Sequence, residues 1–189
     1  MTAVPGLLIV GCWVIFLGYW LASARRGKPV AERTKLSLAL RYRLPLIFGC
    51  LLLWASNRLH PLDIDFPKRS APAQYIGAAI CVLGLLLSIW SRRTLAGNWS
   101  SAVTFKQNHE LIKTGPYRFV RHPIYTGVLT MCLGSVIVEA RLHCWFGLAL
   151  IFIAFWVKLR QEEILMLQHF PNDYPGYRSR VKALVPFII

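Results

Sequence analysis

Acidic residues are scarce in this chain of 189 residues: eight Asp and Glu stand against 22 Lys and Arg, for a formal net charge of +14. Polar sequence is scarce too, since 56% of the residues are hydrophobic. That shortage excludes a nucleic-acid binder, which sets basic residues among exposed aromatics on a polar domain. It also excludes an ordinary soluble domain, which at this length has no use for so much apolar surface. What remains is an integral membrane protein whose basic residues sit outside the lipid. Paired cysteines are missing as well. Cys12, Cys50, Cys81, Cys132 and Cys144 are odd in number, form no C-x-x-C, and lie in or beside apolar runs. They read as small buried hydrophobes, not as a disulfide framework or a zinc site. The opening MTAVPG lacks a basic n-region, so the first apolar run is expected to stay as a span and not to be cleaved. There is no G-x-G-x-x-G after a strand, no P-loop and no H-E-x-x-H. His60, His109, His122, His143 and His169 form no H-x-x-x-H pair, which argues against a membrane di-iron oxidase, and no metal is expected. Without an internal repeat, low-complexity tract or linker, residues 1–189 read as a single domain.

Five apolar segments are present, roughly 4–22, 44–55, 75–90, 124–138 and 144–157. Some fall short of the ~20 residues a spanning helix needs, so flanking residues extend the second and the fifth. The fold expected is therefore all-α, an integral membrane bundle of about five transmembrane helices. The connections alternate in basic residues. Seven lie between the first two spans, three in the next connection, six between spans three and four, then one, then five after the last span. One side thus carries eighteen and the other four. Lys and Arg accumulate on the cytoplasmic side, which puts the N-terminus outside and the C-terminus in the cytoplasm. It also puts the 91–122 loop and the C-terminal tail on one face, where a cytoplasmic pocket would form between them.

Nearly all the chemistry candidates lie in those two pieces. In GPYRFVRHPIY (115–125), Pro123 drives His122 out of the α region and suits the first helical position. The fourth span should start there, with Arg121 and His122 at its N-terminal end. A helix N-terminus prefers anions. Two readings stand: an anionic ligand group occupies the same spot, or Arg121 snorkels to lipid head groups. HELIKTGPY (109–117) places His109, Glu110 and Tyr117 in a loop on that face. KLRQEEILMLQHF (158–170) holds no Gly or Pro, so the fifth span should run on as helix until Pro171. Glu162 and Glu163 then stand roughly 6–9 Å beyond the hydrocarbon edge. Neighbours on a helix point about 100° apart, so one can aim at a pocket while the other pairs with a base. PNDYPGY (171–177) reads as a turn, and RSRVKALVPFII (178–189), mixing basic and apolar residues, as a segment on the bilayer surface.

HELIKTGPYRFVRHPIYTG (109–127) followed by RQEEILMLQHFPNDYPGYRSRV (160–181) resembles the isoprenylcysteine carboxyl methyltransferase family. The resemblance covers about residues 95–189; residues 4–90 match only in their number of spans. It implies methyl transfer from S-adenosyl-L-methionine at the cytoplasmic membrane surface to a lipophilic acceptor, such as a prenylcysteine-like carboxylate, a thiol or a lipid amine. By resemblance His109, Glu110, Leu111 and Ile112 would line the cofactor. Tyr117, His122, Pro123, Ile124 and Tyr125 would close its other side, and Glu162 would hold the ribose or amino end. Arg121 and Glu163 are the catalytic candidates. The family tends to carry a substrate-binding arginine four residues before Glu162; here Lys158 stands there, with Arg160 two residues on. Arg and Lys are not interchangeable at a bidentate carboxylate site. Two other classes remain open on the sequence: a membrane reductase using NADPH, whose 2′-phosphate suits a basic face, and a non-enzymatic lipid-binding membrane protein.

Overall fold

Each apolar run becomes a helix, and all but α2, which stops one residue short of its run, overrun it at both ends. The structure is a computed structural model that describes residues 3–24, 28–33, 36–55, 64–100, 102–106 and 110–188. In chain order it contains α1 (Ala3–Ala24), β1 (Val30–Arg33), α2 (Leu36–Trp54), α3 (Ala71–Leu95), β2 (Thr104–Lys106), α4 (Pro123–Glu139), α5 (Leu142–His169) and α6 (Tyr174–Arg180). Four helices, α1, α2, α3 and α5, are long and apolar enough to cross a membrane, and α4 is a shorter apolar helix of 17 residues. At about 1.5 Å per residue α4 measures ~25 Å, at the lower limit for a bilayer core. Large apolar side chains cover the outside of the bundle: Leu7, Leu21, Phe48, Leu51 and Leu83 are all more than half exposed. Water would not tolerate that surface, and lipid requires it.

α4 is the central helix. On one side Met131 and Val138 pack with Ile9, Cys12 and Phe16 of α1 and with Ala78, Cys81 and Leu85 of α3. On the other, Cys132 and Val136 pack with Leu53 of α2 and with Cys144, Ile151 and Phe155 of α5. Lipid offers apolar helices no hydrophobic reason to associate, so close backbone approach must supply the attraction. At the α3–α4 crossing Gly84 provides it, since a Cβ there would stand 2.6 Å from the Gly127 carbonyl. Four of the cysteines are buried as expected and Cys50 faces outward; all five are free thiols.

The flanking residues extend the second run as expected: α2 begins at Leu36, and Arg41 and Arg43 interrupt the apolar run without breaking the helix and lie exposed. Two local features differ from the sequence expectation. β1 and β2 form an antiparallel ribbon, pairing Val30 with Lys106 and Arg33 with Thr104. Extended backbone at the rim must satisfy its N–H and C=O groups, and a second strand does so. The turn expected over 171–177 is confined to Pro171–Asp173, since α6 starts at Tyr174. α5, by contrast, stops at His169 with Phe170 as its C-cap, just before Pro171.

Candidate functional site

The C-terminal ends of α3 and α5 and the start of α4 meet at one end of the bundle, and α6 packs against them. Pro123 is the first residue of α4, and His122 precedes it with φ −123° and ψ 58°, outside the helical region. Arg121 and His122 therefore sit where the helix dipole is positive, as the sequence requires. The anion that settles them is the protein's own Glu163. Arg121 donates to its Oε1 through Nε at 2.8 Å and through Nη2 at 2.5 Å. Arg178 Nε lies 3.4 Å from the other oxygen. The two side chains are nearly sealed, 9% exposed for Arg121 and 3% for Glu163. Arg121 also donates through Nη1 to the carbonyls of Arg178 and Val181, which ties α6 to the start of α4.

A rotation of about 100° around the α5 axis separates the two glutamates. Glu163 faces that ion pair, while Glu162 faces a cavity of about 850 Å³ of empty space, part of it open to solvent. Its wall includes Glu110, Leu111, Ile112, Tyr117, Arg121, His122, Ile124, Tyr125 and Glu162. The sequence placed these residues in one site, and the structure gathers them. Tyr125 donates its hydroxyl to Glu162 Oε1 at 2.6 Å. His122 Nδ1 lies 3.6 Å from Glu162 Oε2 and its Nε2 lies 3.4 Å from Glu163 Oε1, so the imidazole spans the two carboxylates. The His122 ring stacks on Tyr125, which stacks in turn on Phe155.

Other residues singled out in the sequence stand elsewhere. His109 lies outside the described residues. Pro123 is buried beneath the wall and shapes the helix start without lining the cavity. Glu163 is set behind the wall. Lys158 is buried behind Tyr125, its ammonium 5.2 Å from that ring and 5.6 Å from the ring of Tyr42. Arg160 is exposed on another face of α5, over the Trp156 ring and away from the cavity. Lys158 and Arg160 come from one helix but do not converge, because two residues turn a helix by about 200°.

The cavity has a second wall that sequence reasoning missed: Asn98, Trp99, Ser100 and Thr104 after α3, and Tyr174 and Tyr177 from α6. Lys28 Nζ donates to Asn98 Oδ1 at 3.0 Å and approaches Glu110 at 3.9 Å, so the segment before β1 braces this wall. Arg92, 3% exposed, donates to the carbonyls of Ala96 and Ser23 and lies over the Trp99 ring at 4.5 Å. The sequence counted it only as a topology charge. Tyr177 donates to the Tyr117 carbonyl at 2.5 Å. Burial pushes the Tyr177 phenol up to about 12, so it stays a donor at neutral pH, and burial raises Tyr117 and Tyr174 likewise. Among the described residues, no group of three or more His, Cys, Asp or Glu side chains comes together to hold a metal.

The arrangement suits a polar small molecule with an aromatic part. Aromatic rings, a carboxylate and loop backbone face one space, which is the composition expected of a ligand cavity. One buried wall atom also lacks a partner: among the described residues the Thr104 hydroxyl makes no hydrogen bond. An unmade buried bond is costly, and a ligand donor or acceptor would satisfy it.

The sequence pattern of the Isoprenylcysteine carboxyl methyltransferase (ICMT) family matches residues 77–168, from α3 through the twin glutamates. A probable protein-S-isoprenylcysteine O-methyltransferase of Oryza sativa subsp. japonica is 26% identical over 186 residues, covering 96% of this chain and 95% of that protein. The protein-S-isoprenylcysteine O-methyltransferase of Homo sapiens is 25% identical over 155 residues, covering 80% of this chain and 55% of that protein. The Saccharomyces cerevisiae protein of the same name is 27% identical over 119 residues, covering 60% and 48%. The matched region thus spans about half the length of the human and yeast relatives. Neither the reductase nor the lipid-binding reading finds support among these relatives.

Proposed function

We propose that this chain, an isoprenylcysteine carboxyl methyltransferase-like membrane methyltransferase, takes S-adenosyl-L-methionine as its methyl donor in the cavity beside Glu162 and passes the methyl group to a lipophilic acceptor. One observation carries the reading. The Glu162 carboxylate, 24% exposed and held by Tyr125, faces a cavity walled by residues 110–112, Tyr117 and His122. Two hydroxyls of a ribose, or an amino group, would find their acceptor there. Tyr117, Tyr125 and Trp99 offer aromatic surface for a base, and the Thr104 hydroxyl offers a further polar contact. When bound, the donor supplies a methyl group on an already activated sulfonium.

The chain's own residues then have mainly to position and to exclude water, and positioning supplies much of the rate of such a displacement. Arg121 and Glu163, given by the motif as catalytic, are read here as a positioning pair. They neutralise each other and hold the α6 wall. A carboxylate acceptor needs no base. For a thiol or an amine, His122 would accept the proton on a ring nitrogen, held between the two carboxylates. Lys158 lies behind Tyr125, on the side of the membrane-embedded residues, where it would favour an anionic head group on an apolar acceptor. The relatives' names make a prenylcysteine carboxylate the acceptor to test first. The bias of basic residues supports an orientation with this end of the bundle in the cytoplasm and the N-terminus outside.

The test is transfer itself. Purified protein in lipid is given methyl-labelled S-adenosylmethionine with a prenylcysteine analogue, a long-chain thiol or a lipid amine. Label appearing as a base-labile methyl ester supports the prenylcysteine reading. Label in none of the three, from protein shown to be folded, contradicts it.

A further inference from the structure

The segment after α6 returns to the body and is held by backbone. The N–H groups of Arg121 and His122 donate to the carbonyls of Lys182 and Ala183 at 2.8 and 3.0 Å, and the Thr126 hydroxyl donates to that of Leu184 at 2.7 Å. Ala183 and Leu184 are buried against Leu159, Trp156, Tyr125 and Leu129. Past Leu184 the character changes abruptly. A turn closed by the Ile188 N–H on the Val185 carbonyl leaves Val185, Phe187 and Ile188 at 41%, 95% and 75% exposed. Around this apolar tip Arg180 and Lys182 are exposed, and Arg160 lies over Trp156. The acids nearby are committed: Glu163 to Arg121 and Arg178, Asp173 to Lys113. Trp156 stacks with Phe152, which is itself 40% exposed on the flank of α5. Aromatic and basic residues side by side mark a membrane–water boundary. The tip therefore emerges where the lipid-facing surface ends and the basic end of the bundle begins.

We propose that residues 180–188 seat on an anionic phospholipid surface, with Phe187 and Ile188 inserted among the acyl chains and Arg180 and Lys182 on the head groups, and that this seating holds the α6 wall of the cavity shut. Apolar tips flanked by basic residues bind in this way, with strength set by buried apolar area and by lipid charge. The coupling to the cavity is direct. The seated segment is continuous with α6, whose Tyr174 and Tyr177 line the cavity, and it is fastened to Arg121 and His122 of the opposite wall. The coupling rests on reading the cavity as the donor site; the seating does not.

The experiment places the full chain in nanodiscs of phosphatidylcholine alone, or with about one third phosphatidylglycerol. A benzophenone amino acid replacing Phe187 should crosslink to lipid on irradiation, more so in the anionic discs. Crosslinks to protein alone, or none, overturn the seating. S-adenosylmethionine should bind several-fold more tightly in the anionic discs, and the surface double variant Arg180→Glu/Lys182→Glu should erase that difference. Equal affinity in both discs overturns the coupling. If the donor binds in neither disc while residue 187 still crosslinks to lipid, the seating is upheld and the donor-site reading fails, taking the coupling with it.

Discussion

Glu162 and Glu163 are neighbours in the chain but do different work, because a helix turns them about 100° apart. Glu162 presents its carboxylate to the cavity; Glu163 spends its own on Arg121 and Arg178. The two amides should therefore behave differently. Glu162→Gln should weaken donor binding about tenfold or more, the size of a lost charge-assisted hydrogen bond, with little change in thermal midpoint. Glu163→Gln should act on the fold. Removing one partner of a buried pair costs about 3–5 kcal/mol, so its midpoint should fall clearly, and limited proteolysis should cleave after α6 where the wild type resists. A midpoint unchanged in Glu163→Gln would contradict the positioning role. That one glutamate would face a pocket and the other a base was readable from the sequence. Which one does so came from the family resemblance and not from helix geometry, because it depends on the rotation of α5 about its axis, set by packing of Phe155 and Ile151 against α2 and α4.

At the scale of elements, the centre of the bundle is a close crossing of α3 and α4, made possible by residues without side chains. Gly84→Val should destabilise it: the new Cβ meets the backbone of α4, which cannot move aside as a flexible side chain would. Overpacking of this kind costs about 1–3 kcal/mol. Gly11→Ala, where nothing lies within 4 Å, serves as the control and should leave the thermal midpoint in detergent unchanged. Hydropathy, with the flanking residues that a spanning length demands, made the five apolar helices legible to within a few residues; the start of α2 was reached although Arg41 and Arg43 interrupt its apolar run, because they leave helix formation intact. The β1–β2 ribbon was hidden because it pairs residues about seventy positions apart, with no hairpin turn to announce it. The second cavity wall was hidden for a related reason: Asn98, Trp99 and Thr104 belong to no local motif, Tyr174 and Tyr177 stand in a stretch that reads as a turn, and only the return of α6 against Tyr117 brings them to one place.

For the molecule as a whole, the bundle has two unlike ends. The end of α3, residues 110–122, the end of α5 and α6 share the basic end, and the Asp65, Arg69, Glu139 and Arg141 ion pairs hold the other. If the basic end is cytoplasmic, a cysteine replacing exposed Arg180 should react with an impermeant maleimide only after cells are opened, and one replacing exposed Lys68 should react in intact cells. The reverse pattern would invert the orientation. On the proposed function, the cavity beside Glu162 holds the methyl donor. The most direct measurement of that binding is calorimetric titration of S-adenosylmethionine into the purified chain in lipid, beside Glu162→Gln of matched thermal midpoint. Saturable one-site binding to the wild type is expected, weakened at least about tenfold by the substitution. No saturable heat with the wild type, or equal affinity in both proteins, would contradict it.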